Sequence, residues 1–421
     1  MRSVLPDRRH FLYLRVPLGG EGRGRSQEVF LGATDLEPEQ QPAEPILQSD
    51  NPPIYVPQDG PEDQVPGDGY LLFSRDGVLM SRPFDLNGLV LVGNEAPLGV
   101  GSSGGAFAEF AASESGTLAV TRGTEVPSRL LLFDREGNVL EELGPPARYG
   151  EIGLSPDGRH LGVSRMDEDG AHVWILDPER KVFSRLNPGE SGGGAPFPSA
   201  DGRVAFTDDE GRIWARAVNG VGEAELLLSG PTTRHANDWS RDGNYLIYDD
   251  HVPGNAQDLF VLPLQNDATP IPILETPADE TYGKLSPDGR WIAYTSNESG
   301  RYEVYVRDFR PDRSPAYGSE RLQVSVSGGN KPTWSPDGTE IFYFAPDDSL
   351  HAVRINTAPA LRAGTPELLF RRRTRGYYPL AVTPEGGFVL NALPTETADR
   401  PDPITVVLNW QSLLPASRRQ Q

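Results

Sequence analysis

The chain has 421 residues, a hydrophobic content of 37%, a formal net charge of −21 and no cysteine. These values exclude disulfides and cysteine-based metal sites, and the negative charge argues against nucleic acid or an anionic membrane surface as a partner. Glycine (46) and proline (40) together exceed a fifth of the residues, which is typical of many short strands joined by turns.

A turn motif of the type Ser-Pro-Asp-Gly, placed between two apolar strands, recurs along the chain. Proline presets φ for the first turn position, aspartate hydrogen-bonds the local backbone, and glycine takes the position with positive φ. Each copy therefore predicts a hairpin. In chain order the nine copies occupy 5–8, 66–69, 112–116, 154–158, 198–202, 239–243, 285–289, 334–338 and 382–386.

The spacing of these motifs predicts the fold class. After a first interval of 61 residues, the last turn residue of each motif recurs every 41–49 residues, which is the period of a propeller blade. A third strand such as 303–306 and a fourth such as 225–228 complete the unit. No long segment has a period of 3.6, so the sequence predicts an all-β propeller of four-stranded antiparallel blades.

Closure of a ring requires the incomplete last repeat to pair with a strand from earlier in the chain. The last repeat offers strands near 378–382, 388–392 and 404–410, and residues 139–143 (Val-Leu-Glu-Glu-Leu) are strand-like and precede a Gly-Pro-Pro turn. We therefore expect residues 139–143 to join the sheet that contains 388–392 and 404–410.

This closure predicts two propeller domains and a tail. A six-bladed ring is expected over residues 139–414, three further blades of a partial propeller over 1–138, and a disordered tail over 415–421. A partial ring leaves an apolar blade face open, so it should be less stable, dimerise or need further sequence. The alternative is a single eight- or nine-bladed ring.

The repeat resembles known families. The segment 285–294, Leu-Ser-Pro-Asp-Gly-Arg-Trp-Ile-Ala-Tyr, resembles the TolB-type propeller repeat, which prolyl oligopeptidase-like enzymes share. Other segments resemble the extracytoplasmic C-terminal region of bacterial membrane-bound serine/threonine protein kinases, in which a kinase domain and a membrane helix precede such repeats. These segments are 5–13, 69–85, 299–306 and 404–410. The resemblance implies a TolB-like, WD-type repeat module and an extracytoplasmic location if a kinase is attached, and otherwise a cytoplasmic one.

The residues that catalysis would require do not occur together in the sequence. Kinase chemistry needs a strand lysine and the His-Arg-Asp and Asp-Phe-Gly motifs; the chain has three lysines, Lys181, Lys284 and Lys331, and neither motif. This scarcity of lysine is typical of a GC-rich genome. Residues 101–105 match the Gly-x-Ser-x-Gly hydrolase motif but lead into a β-repeat rather than a helix. We predict no enzyme activity, no catalytic residue and no cofactor.

Metal sites are not indicated either. The six histidines are scattered without metal-ligand spacing. Acidic segments such as 167–170 and 208–211 lack the full ligand series of a calcium loop and are interpreted as hairpin turns. No segment approaches the ~20 apolar residues of a membrane span, so membrane insertion is not expected.

Two irregular segments, 232–237 and 327–331, lead into innermost strands and are expected at one end of the propeller pore. We predict a non-catalytic interaction or sensor module, derived from the kinase C-terminal region, that binds a protein or peptide there. The alternative is an accessory propeller that gates substrate for a prolyl oligopeptidase-like enzyme; a hydrolase acting in its own pore would need convergent histidines and carboxylates. The candidate pore-face contacts are Arg234, His235, Asn237, Tyr282, Asn330, Lys331 and Tyr377.

Overall fold

β-Strands dominate the structure. The only helical segments among the described residues are two short 3-10 turns, Pro38–Gln40 and Trp410–Leu413, and no described helix is long and apolar enough to cross a bilayer. The all-β prediction is confirmed. The computed structural model describes residues 3–15, 27–58, 68–75, 78–101, 110–113, 115–121, 127–167, 170–186, 192–230, 232–251, 256–265, 269–394 and 404–414; the predicted tail 415–421 lies outside them.

The described residues form two compact units: those within 127–394 form one, and those within 3–121 and 404–414 form the other. We number the blades 1–9 after the nine turn motifs and call the first unit the ring. Its blades 4–9 are antiparallel sheets.

The strands of the ring follow the repeat closely. Blade 4 contains Tyr149–Leu154, Leu161–Asp167, Gly170–Asp177 and Val182–Arg185, and blade 5 contains Gly194–Pro198, Arg203–Thr207, Ile213–Ala217 and Glu225–Leu228. Blade 6 contains Thr233–Trp239, Tyr245–His251, Gln257–Pro263 and Ile271–Leu274, and blade 7 contains Glu280–Leu285, Trp291–Ser296, Glu303–Phe309 and Tyr317–Gln323. Blade 8 contains Asn330–Trp334, Glu340–Phe344, Ser349–Asn356, Arg362–Ala363 and Glu367–Arg371, and blade 9 contains Val139–Glu142, Arg129–Phe133, Phe388–Ala392 and Leu380–Val382.

Each turn motif is held by its own side chains, as blade 7 illustrates. The Ser286 hydroxyl donates to the Asp288 carboxylate (2.6 Å), which also accepts the backbone N–H of Arg290 (3.1 Å). The backbone N–H of Trp291 in turn donates to the Ser286 hydroxyl oxygen (3.0 Å). Gly289 has φ +67°, a left-handed conformation that glycine adopts without steric cost. The motif therefore encodes the hairpin locally.

Six apolar cores join the six ring blades in a closed cycle. Buried side chains pack between blades 4 and 5, 5 and 6, 6 and 7, 7 and 8, and 8 and 9, and a sixth core joins blade 9 back to blade 4. The innermost strand of each blade also contacts the innermost strand of the next blade around this cycle. The innermost strand is the first one given above for blades 4 to 8, and Leu380–Val382 for blade 9. The ring is thus complete with six blades, as predicted, and the described residues do not form a single eight- or nine-bladed ring.

The closing sheet, blade 9, differs from the prediction in one strand. Val139–Glu142 does lie in the sheet of Phe388–Ala392, but Arg129–Phe133 lies between them and pairs with both. The expectation that Ile404–Trp410 joins this sheet is wrong, since Ile404–Leu408 pairs with Thr117–Thr121 in the other unit. Ile404–Leu408 does not pair with Phe388–Ala392 because Arg129–Phe133 already lies beside that strand. Arg129–Phe133 has buried apolar side chains on both of its faces.

The second unit, called the three-blade unit, contains blades 1–3. Blade 1 consists of Ser3–Val4, His10–Arg15, Gln27–Ala33 and Leu47–Ser49, and blade 2 of Ile54–Pro57, Gly69–Arg75, Val78–Asp85, Val90–Leu91 and Ala96–Gly101. Blade 3 has three described strands, Phe110–Ala112, Thr117–Thr121 and Ile404–Leu408. One core joins blades 1 and 2 and a second joins blades 2 and 3, so the described residues show three blades as predicted.

Candidate functional site

Irregularities in the first strands of the ring determine which side chains line its channel. The strand register shifts within the first strand of blades 4 to 8, as between Thr281 and Lys284 in blade 7 and between Asn330 and Thr333 in blade 8. Tyr282 and Lys331, within these two irregularities, have φ of +58° and +56°. A bulge of this kind redirects a side chain, and left-handed non-glycine backbone persists only where surrounding contacts hold it.

Three aromatic rings meet across the axis of the ring. Tyr377 precedes Leu380–Val382, the innermost strand of blade 9. Its ring stacks on that of Tyr282 in blade 7, with 4.5 Å between the ring centroids. Its ring also lies 5.4 Å from that of His235 of blade 6. Neither blade 6 nor blade 7 is a neighbour of blade 9, so these contacts span the channel. Burial raises the pKa of both tyrosines, so their hydroxyls stay protonated at neutral pH.

A buried carboxylate supports one side of this stack. Asp249 is fully buried, and its two oxygens contact the Asn237 side-chain N–H (2.8 Å) and the His235 Nδ1 (3.1 Å). Asn237 is also fully buried, and its Oδ1 has no hydrogen-bond partner among the described residues. The hydroxyl of Tyr378, which packs edge-on against Tyr282, has none either. Two buried polar atoms beside the stack therefore lack a hydrogen-bond partner among the described residues.

Lys331 supplies a cation at the same level. Its ammonium donates to the backbone carbonyl of Gly376 (3.0 Å) and lies 6.0 Å from the ring of Tyr282. Burial lowers the pKa of Lys331, while Asp348 and Glu151 favour its charged form. We call His235, Asn237, Tyr282, Lys331 and Tyr377 the channel cluster; all five are among the residues selected from the sequence.

The other two selected residues have different surroundings. Arg234 is buried and forms an ion pair with Asp250 (2.9 Å); as the neighbour of His235 in a strand, it points to the opposite face of the sheet. Asn330 is half-buried and pairs with Phe344 across blade 8. Among the described contacts, none joins either side chain to the channel cluster.

A second lysine in the channel was not selected from the sequence. The Lys284 ammonium donates to the backbone carbonyl of Asn237 and lies 3.7 Å from the Asp238 carboxylate and 3.9 Å from the ring centroid of Phe197. Burial lowers the pKa of Lys284 to about 8 and raises that of Asp238. In the sequence, only the composition sets Lys284 apart, because the chain has three lysines and 36 arginines. Two of the three lysines line the channel.

The opposite end of the channel is formed by the turn motifs. Because each turn follows the end of a first strand, the motifs of the ring gather at this end, around a cavity of about 150 Å³. Lys284 lines this cavity and also contacts Tyr378 (5.2 Å), so it separates the turn end from the channel cluster. The cavity lining includes Ser155, Pro198, Arg241, Ser286, Ser335 and Pro384, one from each ring blade.

Other candidates from the sequence have structural surroundings or lie outside the described residues. Asp208 accepts hydrogen bonds from the Arg212 Nε (2.6 Å) and the Trp214 indole N–H (2.8 Å), as expected for a hairpin turn. Residues 102–105 of the Gly-x-Ser-x-Gly match and residues 168–169 of an acidic turn are not described. Within the described ranges, no group of three or more histidine, aspartate or glutamate side chains is arranged to hold a metal ion.

The fold resembles several solved β-propellers, although no protein-family model matches the chain. A putative TolB from Agrobacterium tumefaciens is 18% identical with a TM-score of 0.49, covering 64% of this chain and 99% of that one. TolB from Acinetobacter baumannii is 14% identical (TM-score 0.45; 76% and 80% covered). A gluconolactonase from Xanthomonas campestris is 12% identical (TM-score 0.43; 66% and 90% covered). At these identities the similarity concerns the fold.

Proposed function

We propose that the protein is a non-catalytic interaction or sensor module whose ring binds a protein or peptide segment at the channel cluster. The observation that carries this proposal is the stack of His235, Tyr377 and Tyr282 across the channel axis. Aromatic side chains bring large contact area with few rotatable bonds, and tyrosine adds a hydroxyl. Such residues dominate the energy of many protein interfaces.

Polar groups around the stack would select the bound segment. The Tyr377 hydroxyl lies 3.5 Å from the Gln257 side-chain oxygen and can donate or accept a further hydrogen bond. Lys331 offers a charged ammonium at the same level. A backbone amide supplies both a donor and an acceptor, so an extended peptide entering the channel mouth matches this set. Leaving such groups unpaired in the complex would cost about 1–3 kcal/mol each, which gives the site selectivity.

The same stack disfavours the alternative of a substrate-gating propeller. Tyr282 and Tyr377 are 4.5 Å apart across the axis, and Lys284 fills the level below them. A segment passing through the channel would have to displace both layers. A segment bound at the mouth needs neither movement.

Panning the protein against a phage library of random linear peptides tests the proposal. Selected peptides should bind wild-type protein and lose at least about tenfold in affinity, near 1.4 kcal/mol, with Tyr377→Ala. Tyr377→Phe should retain most of the affinity because the stack persists. Arg241→Ala, at the turn end of the channel, is the matched control and should bind normally. Peptides that respond to Arg241→Ala but not to Tyr377→Ala would refute binding at the channel cluster.

The origin of the module is a separate part of the proposal. The segments 5–13, 69–85, 299–306 and 404–410 resemble the C-terminal region of bacterial membrane serine/threonine kinases; the segment 299–306 lies in the ring and the other three lie in the three-blade unit. We therefore propose that the module derives from such a region. An upstream reading frame encoding a kinase domain and a membrane helix would support this origin, and an unrelated neighbouring gene would count against it.

A further inference from the structure

Lys284 carries an amine that the proposed function does not use. Its side chain keeps 15% of its surface accessible and lines the cavity of about 150 Å³ at the turn end of the channel. Two other residues of the lining, Pro156 and Arg241, are exposed, so the cavity reaches the surface of the ring. A small molecule can therefore approach the Lys284 amine from the turn end without crossing the channel cluster.

The size and lining of this cavity suit a small organic molecule. The lining includes a proline from five of the six ring motifs, together with Trp239 and Trp334. Its serine hydroxyls are engaged within their own turns; Ser286, for example, donates to Asp288 (2.6 Å). A cavity of about 150 Å³ can hold a molecule the size of benzene. The Lys284 amine is thus the reactive group of a small pocket.

A carboxylate and two aromatic rings accompany this amine. Asp238 lies 3.7 Å from the Lys284 ammonium and accepts the backbone N–H of Leu285 (2.8 Å), which fixes its position. Burial raises the pKa of Asp238 and lowers that of Lys284 to about 8, so proton transfer between the two groups costs less free energy than in water. The rings of Phe197 (3.9 Å) and Tyr378 (5.2 Å) stabilise a positive charge on the nitrogen.

We infer that Lys284 binds a small aldehyde reversibly as a protonated imine, with Asp238 carrying the proton. The ammonium transfers one proton to the Asp238 carboxylate, and the free amine attacks the carbonyl carbon. The C–N bond forms, an N–H proton moves to the carbonyl oxygen, and a carbinolamine results. Asp238 then returns its proton to that oxygen, the C–O bond breaks, and water leaves while the nitrogen lone pair forms the C=N bond. Ammonium and aldehyde thus give iminium and water, with atoms and charge in balance.

The iminium suits the site as well as the ammonium does. Its nitrogen keeps one positive charge beside Asp238 and the two rings, and its N–H can donate to the backbone carbonyl of Asn237, which accepts from the ammonium. The body of the aldehyde occupies the cavity. Desolvated lysines are the nucleophiles that proteins use toward carbonyl compounds. The inference concerns stoichiometric covalent binding and implies no turnover.

Reductive trapping on the wild-type full chain tests the site. The protein is incubated at pH 7 with propanal and sodium cyanoborohydride, which reduces the iminium faster than the free aldehyde. Peptide mapping by mass spectrometry then follows each amine separately, which is practical because the chain has three lysines. Lys284 should be labelled at least about tenfold faster than Lys181, since a pKa of about 8 leaves more free amine than the ordinary lysine value.

A bulky aldehyde separates the effect of the cavity from that of the amine. Anthracene-9-carbaldehyde exceeds the cavity, so the ratio of labelling at Lys284 to that at Lys181 should fall at least about tenfold relative to propanal. Lys331 is an internal comparison in the same experiment. Burial lowers its pKa too, but it is not among the residues that line the cavity, so it should not share the fast labelling.

Two variants complete the test. Lys284→Met keeps a side chain of similar length and should abolish the fast labelling. Lys181→Met removes the surface ion pair with Glu141 and should leave that labelling unchanged. If Lys284→Met does not fold, the two wild-type arms decide. Labelling of all three lysines at similar rates, or an unchanged labelling ratio with the bulky aldehyde, would overturn the inference.

Discussion

The ring and the three-blade unit are built from the same repeat but end differently. In the ring, six sheets and six cores form a cycle, and the last core joins blade 9 to blade 4. In the three-blade unit, three described sheets share two cores. The hairpin motif is therefore sufficient to specify a blade, but it does not specify how a row of blades closes.

Closure depends instead on an exchange of strands between the third and ninth repeats. Arg129–Phe133 and Val139–Glu142 follow the third turn motif in sequence, yet they complete blade 9. Ile404–Leu408 follows the ninth motif and completes blade 3. Each unit is thus completed by strands from a distant part of the chain. Long-range pairing thus completes a blade in both units, and the number of described cores, six for six blades against two for three blades, is what distinguishes them.

The largest expected effect is the loss of stability when a core leucine of either unit is shortened. Leu130 of blade 9 and Leu118 of blade 3 are both fully buried, and either leucine-to-alanine change should cost about 4 kcal/mol in the unit that contains it. In calorimetry at low protein concentration we expect two transitions, with the three-blade unit melting first. Leu130→Ala should lower the upper transition and Leu118→Ala the lower one. A single transition shifted equally by both changes would show that the units unfold together.

The next effect concerns the charged pair in the ring channel. Lys284→Ala leaves Asp238 without its cation in a site that is largely shielded from water, and should lower the stability of the ring by about 3 kcal/mol. Lys181→Ala is a matched control, because Lys181 pairs with Glu141 at the surface and such pairs contribute less than about 1 kcal/mol. Chemical denaturation of both variants measures the difference. Equal effects would place Lys284 in an environment like that of the surface pair.

A smaller effect depends on pH and should be confined to the ring. Glu280 is buried, and burial raises its pKa from 4.5 to about 7. A carboxyl with a raised pKa in the folded state binds protons more tightly there, so stability should fall as the pH rises from 4.5 to 7. Asp258, whose pKa burial raises to about 6, adds to the same trend.

Glu280→Gln should remove the part of this dependence that belongs to Glu280 and stabilise the ring by about 2 kcal/mol at pH 8. Glu303→Gln provides the contrast, because the Glu303 carboxylate accepts hydrogen bonds from Arg301 (2.7 Å) and the backbone N–H of Gly328 (2.9 Å). That change should destabilise the ring. Thermal melts from pH 4 to 8 give both results, and a Glu280→Gln variant with the wild-type pH profile would contradict the assignment.

The smallest effect lies in the turn of blade 1. Arg8 occupies the place that glycine has in the ring motifs and has φ +58°. Left-handed backbone costs a non-glycine residue about 1 kcal/mol, so Arg8→Gly should stabilise the three-blade unit by about that amount. The reverse change in the ring, Gly289→Arg, should destabilise it similarly. No change in the lower transition on Arg8→Gly would show that the turn is not a source of strain.

The sequence predicted those parts of the fold that are encoded locally. The motif around Ser286 and Asp288 closes its own hairpin, so nine motifs predicted nine blades. The position of Ile404–Leu408 was missed because two apolar strands of five residues competed for the same partner, Phe388–Ala392. Arg129–Phe133 takes that position because Leu130 and Phe133 are buried in cores on opposite sides of the sheet. These two cores form only in the folded ring, so the sequence alone does not show which strand is preferred.

The candidate site was predicted in part for a similar reason. His235 and Lys331 lie in segments that the sequence marks as irregular, and in the structure both belong to the innermost strands Thr233–Trp239 and Asn330–Trp334. Lys284 lies inside the regular-looking strand Glu280–Leu285, where alternation does not show that the strand register shifts between Thr281 and Lys284. A shift of one residue exchanges the two faces of a strand, so the channel position of Lys284 was not visible.

Hydrogen exchange of backbone amides most directly tests the difference between the ring, in which every blade shares cores with two neighbours, and the three-blade unit, in which two described cores join three blades. Amides of Arg129–Phe133 in blade 9 should exchange as slowly as those of Trp291–Ser296 in blade 7, because both are central strands of a closed cycle. Amides of Thr117–Thr121 in blade 3 should exchange at least about tenfold faster. Exchange of Arg129–Phe133 at the rate of Thr117–Thr121, or uniform protection of all three strands, would contradict the account.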